Sequence, residues 1–194
     1  MISRDLILET DRFLLRRLTK ADEPALIRYA ETEPGLWTYS LAAINSREDM
    51  IRYVDEALAA HEKGSAYPLV VIEKATGQVV GSTRYYDFQP QYATTQLGYT
   101  WYSQRLQGNG INAHCKFLLL RYAFEELGLE RVEFRADTRN LRSLAAMRKI
   151  GCVEEGVLRN HLPTADGSRR DSIVLSILRN EWNASVKERL ASRL

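Results

Sequence analysis

The stretch that decides the fold is Tyr99-Thr100-Trp101-Tyr102-Ser103-Gln104-Arg105-Leu106-Gln107-Gly108-Asn109-Gly110-Ile111-Asn112. A strand ends, a polar loop carries two glycines two positions apart, and an apolar helix begins at once. Gly108 and Gly110 let the backbone approach a ligand with no Cβ in the way. The first turn of the helix leaves N–H groups without intrahelical partners. Those donors and the positive helix end favour a phosphate or pyrophosphate. Arg105 adds a candidate charge. A bare G-x-G is also an ordinary tight turn, so its surroundings decide. No GxxxxGK[ST] occurs and no third glycine stands at the dinucleotide spacing, which argues against a P-loop and a Rossmann site.

Working outward, strands and helices alternate. Residues 13–16 read as a strand. Thr19 with Asp22 opens a helix through Tyr29, and Ser46 with Asp49 repeats that capping signature. Ile51, Val54, Leu58 and His61 follow at helical spacing, and Gly64 is the stop. Residues 68–73 and 78–85 form a hairpin around Ala75-Thr76-Gly77. Residues 92–102 are a strand with Leu97, Tyr99 and Trp101 expected on one face. Ile111, Cys115, Leu118, Leu119, Tyr122 and Leu127 make one apolar helical stripe that Gly128 ends. Residues 131–137 alternate as a strand, and Asn140 starts a helix ending at Ile150-Gly151. Residues 153–162 and 171–178 pair around Asp166-Gly167, and residues 180–194 are expected to form a surface helix. The fold class is α+β: a mixed, mostly antiparallel sheet flanked by helices, with a strand–loop–helix–strand unit in its middle.

The chain has 194 residues, 45% apolar and 27% charged, with only 11 Gly and 5 Pro. This fits one globular domain over residues 1–194 and excludes a disordered or fibrous chain. Basic and acidic residues number 27 and 25, a net charge of +2 that gives no argument for a nucleic-acid or membrane partner. No apolar run approaches the roughly 18 to 20 residues of a membrane span. Two cysteines make no disulfide framework, so a reducing cytoplasm is the expected location.

Arg105-Leu106-Gln107-Gly108-Asn109-Gly110 resembles the [RQ]-x-x-G-x-[GA] acyl-CoA pyrophosphate loop of the GNAT N-acetyltransferase superfamily. Leu97-Gly98-Tyr99-Thr100-Trp101 resembles its central strand. Asn140, Ser143 and Gly151 fall where its next helix has them. Glu155-Gly156-Val157-Leu158-Arg159, Asp166-Gly167, Arg170-Asp171 and the opening Leu8-Glu9-Thr10-Asp11-Arg12-Phe13-Leu14-Leu15-Arg16 are similar to the RimJ/RimL-like branch.

The resemblance implies a splayed strand pair that holds acyl-CoA. Trp101 and Tyr102 would pair with the pantetheine amides, and Arg105, Gln107, Gly108, Asn109, Gly110, Ile111 and Asn112 would surround the pyrophosphate. Asn140 would bind the cofactor arm. Many relatives carry a Tyr seven positions after that Asn, but here Met147 stands there and cannot donate a proton. Ser143, the branch's substitute, becomes the candidate beside the leaving thiolate, although a polar residue in a first helical turn can also serve the backbone. Relatives often carry a Glu early in the central strand, where this chain has Gln96. His161 is then the candidate base, against a plain hydrogen-bonded strand histidine; Asp87, Tyr85 and Glu155 are weaker.

The implied activity is acetyl transfer from acetyl-CoA to a primary amine, of a protein N-terminus or a small molecule, without metal. A second reading is a non-catalytic acyl-CoA-binding sensor, motivated by Gln96 and Met147. A third keeps the enzyme but uses succinyl-CoA or a longer acyl-CoA. Oligomeric state is open, with a homodimer as one reading. The three histidines sit in no nucleophile context, and no C-x-x-C or H-E-x-x-H occurs. Cys115 and Cys152 read as core. Residues 131–170 hold nine basic against five acidic residues, mostly a solvated face, with Arg142 or Arg148 as candidate phosphate contacts. Trp37, Tyr39, Tyr85, Tyr86, Phe88 and Tyr92 are divided between an acceptor wall and ordinary packing.

Overall fold

The computed structural model describes residues 2–3, 5–164 and 167–194. One eight-stranded sheet runs in the order β1-β2-β3-β4-β5-β6-β8-β7. Its strands are β1 (Ile7–Glu9), β2 (Phe13–Arg17), β3 (Ala66–Glu73), β4 (Gln78–Gln89), β5 (Thr94–Tyr102), β6 (Arg131–Asp137), β7 (Val153–Pro163) and β8 (Arg169–Leu178). The main helices are α1 (Glu23–Thr32), α2 (Arg47–Glu62), α3 (Ile111–Arg121) and α4 (Leu141–Ile150). The capping signatures work as read. Asp22 Oδ2 accepts from the Thr19 N–H at 2.9 Å, and Ser46 Oγ accepts from the Asp49 N–H at 3.1 Å. The turn expected at Asp166-Gly167 lies partly outside the described residues.

All neighbouring strands are antiparallel except β5 and β6, which run parallel. That pair is short: Thr94, Thr95 and Gln96 face Arg131, Val132 and Glu133. Beyond Gln96 the strands part. β6 stays paired with β8 as far as Asp137, while β5 follows β4 through an irregular register. Tyr99 bends the strand with φ +52, a left-handed value that costs a bulky residue energy.

This bend corrects one expectation. Leu97, Tyr99 and Trp101 do not share a face. Leu97 joins the core cluster built around Phe13, Leu118 and Phe134, whereas Trp101 joins the one beneath α1 and α2 with Met50 and Val54. Tyr99 is 42% exposed. The irregular residue breaks the period-two alternation, so the strand changes face midway.

The C-terminal segment is also more than a surface helix. It comprises Arg179–Glu181, a π-type turn Trp182–Val186 and Lys187–Ala191. Trp182, Val186 and Leu190, four apart, are all buried in the larger core cluster. Trp182 stacks on Phe124 with ring centroids 5.8 Å apart and donates its indole N–H to Glu125 Oε1 at 2.9 Å. Burying that stripe closes the core over α3, and the solvated pairs, such as Lys187 with Glu125, are secondary.

Candidate active site

The gap between the diverging β5 and β6 is a cleft of about 490 Å³, in the range of small-ligand sites. Beyond Gln96 the β6-facing edge of β5 has no strand partner among the described residues. Trp101, Tyr102, Gln107, Gly108, Asn112, Asn140 and Ser143 all line the cleft.

One end is built by the glycine loop and the start of α4. Gly108 and Gly110 have φ of +84 and +88, which only glycine adopts without strain. A Cβ at Gly108 would meet no atom within 4 Å, so that side of the loop is open. Gly110 caps α3, its carbonyl accepting from the Ala113 and His114 N–H groups at 2.8 and 3.2 Å. The Gln107 amide bridges the loop: Nε2 donates to the Tyr102 carbonyl at 2.9 Å, and Oε1 accepts from Arg142 at 2.6 Å. Asn140 caps α4, Oδ1 accepting from the Ser143 N–H at 3.1 Å. Because Asn140 does the capping, the Ser143 hydroxyl is not needed by the backbone.

Four of the residues expected at the cofactor, Arg105, Asn109, Gly110 and Ile111, are not among those that line the cleft. Arg105 does not line the cleft; its guanidinium is bound to Glu73, with Nη1 to Oε1 at 3.1 Å. The cation lining this end is Arg142 instead. Asn109 turns its amide back to the Arg105 carbonyl at 3.0 Å. Gly110 acts as the helix cap, and the Ile111 side chain is core. Met147 lines the cleft as a buried apolar wall.

The middle of the cleft holds a residue that the sequence reading passed over. Lys116 is buried on α3, donates to Thr100 Oγ1 at 3.1 Å, and lies over the Phe134 ring at 5.5 Å. Burial pushes its ammonium down to about 8. The signal was a lysine between Cys115 and Phe117, four residues after Asn112 and so on the same helix face. Burial pushes both the Cys115 and Cys152 thiols up to about 12, which makes them inert core residues.

The other end is walled by Trp37, Tyr39, Tyr53, Tyr86 and Tyr99. Tyr86 meets Tyr99 edge-on with ring centroids 5.2 Å apart. Of the other aromatics considered, Tyr85 is core, its hydroxyl donating to the Leu119 carbonyl, Phe88 packs against the core and Tyr92 is exposed.

No carboxylate or imidazole among the described residues of the cleft is free to act as base, which leaves the Lys116 amine as the titratable group there. Gln96 lines it and donates to Asp87 Oδ2 at 2.7 Å. His161 does not line it; Nδ1 lies 3.0 Å from Ser172 Oγ. Burial and the charges of Arg135, Arg170 and Arg169 hold its imidazole below the usual range. Glu155 is bound by Arg131 and Ser176. Asp137 is the carboxylate in the cleft wall, and Arg139 donates to both its oxygens at 2.9 and 2.7 Å.

Comparison with known proteins identifies a family. A family model described as "Acetyltransferase (GNAT) domain" matches residues 12–153. The Bacillus subtilis (strain 168) protein "Uncharacterized N-acetyltransferase YoaA" is 25% identical over 173 residues, 89% of this chain and 97% of that one. A solved structure of a "putative acetyltransferase" from T. thermophilus is 32% identical, covers 100% of both chains and superposes with a TM-score of 0.88. "Mycobacterium smegmatis RimJ in complex with CoA-disulfide" is 22% identical, with a TM-score of 0.80 over 93% of this chain and 88% of that one.

Proposed function

This chain belongs to the GNAT acetyltransferase family, and from that premise we propose that it moves an acetyl group from acetyl-CoA to a primary amine by direct attack within a ternary complex. The observation that carries the reading is the three-residue pairing of β5 with β6. It leaves an open strand edge in a cleft that ends at a glycine loop and a helix N-terminus. Gln107, Gly108 and Asn112, with the guanidinium of Arg142, are the groups that fit a pyrophosphate there. The open edge of β5 near Trp101 and Tyr102 fits the amides of an extended pantetheine arm. The RimJ structure with CoA-disulfide supports a CoA-type ligand in this fold.

The chain's residues then divide the work. N–H groups at the bend around Tyr99 polarise the thioester carbonyl. The acceptor nitrogen forms its bond to the carbonyl carbon as the carbon–sulfur bond breaks. The amine loses one proton and the thiolate gains one. Ser143 is the hydroxyl we place beside the departing sulfur. No side chain is assigned as base: an α-amine, at about 7.7 to 8.0, is substantially neutral near pH 8 without one.

Ser143→Ala tests this division. It should lower kcat by about tenfold or more with little change in acetyl-CoA affinity. An unchanged kcat would remove Ser143 from the mechanism.

A further inference from the structure

At the acceptor end of the cleft, Arg170 in the lining and Arg84 behind it have no carboxylate bonded to them among the described residues. Arg170, on β8, is 7% exposed and lines the cleft beside Tyr86 and Gln96. It donates from Nε to Ser172 Oγ at 2.9 Å, and its two Nη groups have no partner among the described residues. Arg84, on β4, is equally buried. Its guanidinium lies 4.0 Å from the Tyr99 ring centroid and 5.3 Å from that of Tyr53, and its Nε has no partner among the described residues. Both tyrosines line the cleft, so Arg84 stands directly behind its wall.

Three neighbouring arginines are neutralised, whereas, among the described residues, Arg169 donates only to the Asn160 and His161 carbonyls and Arg142 to the Gln107 amide. Arg131 is bound to Glu133 and Glu155, Arg135 to Glu133, and Arg139 to Asp137. Asp137 is the nearby carboxylate whose charge acts on Arg170, but both its oxygens are engaged by Arg139. A buried cation with no counter-charge is costly to keep. That cost is offset when a ligand supplies the anion, and the guanidinium fork matches a carboxylate in two parallel hydrogen bonds.

Resting on the acetyltransferase reading above, we infer that the acceptor is an amine carrying a carboxylate a few bonds from its nitrogen, and that Arg170 grips this carboxylate while Arg84 adds to the attracting field. The same cations disfavour the ammonium form of the acceptor. They help to deliver a free amine to a cleft whose carboxylate, Asp137, is already held by Arg139. The tyrosine wall offers a packing surface to an apolar or aromatic side chain of the acceptor.

The test uses the full chain with saturating acetyl-CoA and four acceptors of one side chain. These are the free amino acid, its primary amide, the decarboxylated amine, and a peptide amide with an acidic second residue. Thiol release is read. The free acid should exceed the amide and the amine in kcat/KM by roughly tenfold or more. A peptide amide matching the free acid would support the same carboxylate grip with a polypeptide as its source. Arg170→Gln should bring the kcat/KM ratio of acid to amide down toward one, and Arg170→Lys should restore part of the preference. Equal use of acid, amide and amine by the parent enzyme would overturn the inference, whether or not the variants fold. Loss of thiol release with every acceptor, while acetyl-CoA still raises the melting temperature, would instead sink the transferase reading and this inference with it.

Discussion

Arg142 donates to Gln107 Oε1 at 2.6 Å, and this bond ties the first turn of α4 to the loop before α3 across the mouth of the cleft. It holds the two walls in register at the end assigned to the pyrophosphate. Arg142 is exposed, so the bond contributes little to folding. Arg142→Ala should leave the melting temperature within about one degree and weaken acetyl-CoA binding about tenfold. Calorimetric titration checks both walls at once; an unchanged affinity would detach Arg142 from the ligand.

Gly108 tests the loop itself. Its φ of +84 strains any residue with a Cβ, but the space around it is open. Gly108→Val should therefore cost on the order of 1 to 3 kcal/mol of stability and still fold. In the parent, acetyl-CoA at 100 times its Kd should stabilise by about 2.7 kcal/mol, a rise of roughly 5 to 11 °C. The valine variant should lose that rise. A full ligand-induced shift in the variant would place the pyrophosphate elsewhere.

Lys116 makes a prediction about pH. Its ammonium falls from 10.5 to about 8 because it is buried. Below pH 8 both the folded and unfolded chains hold this proton, and the cost of the buried charge is fully present. Between pH 8 and 10.5 the folded chain releases the proton while the unfolded chain keeps it. Stability at this residue therefore rises with pH across that window. Lys116→Met should stabilise the protein at pH 7 by on the order of 2 to 3 kcal/mol and flatten the rise above pH 8. Urea denaturation at pH 7 and 9.5 measures both. A variant no more stable than its parent would mean that Thr100 and Phe134 already compensate the charge.

Much of this architecture is legible in the sequence because it rests on short-range chemistry. Thr19 with Asp22, Ser46 with Asp49, and the glycine pair at 108 and 110 each act within four residues. The misreadings turn on long-range information. The left-handed residue of the bend is Tyr99 and not Gly98 before it, and plain alternation across that pair puts Leu97 and Trp101 on one face. Trp182 reads as part of a surface helix because its partner Phe124 lies far back in the chain. Arg105 reads as a ligand contact because nothing local shows Glu73 opposite it. Lys116 draws no attention because its wall, Thr100 and Phe134, comes from two other strands.

The absence of a free carboxylate or imidazole among the described residues of the cleft predicts the pH dependence of the reaction. The rising limb of kcat/KM should track the acceptor's own amine. An α-amine, near 7.7 to 8.0, should reach its plateau below an ε-amine, near 10.4. Rate profiles with one acceptor of each kind decide this. A limb fixed at one pH for both would mean that an enzyme group takes the proton.

The most direct measurement is quantitative: thiol released from acetyl-CoA against acetylated acceptor formed, with the intact enzyme mass followed in the same reaction. Direct attack predicts one thiol per acetylated amine and an enzyme mass that never changes. Acetyl-CoA binding with no thiol released to any amine, or an acetylated enzyme that forms and decays in step with turnover, would contradict it.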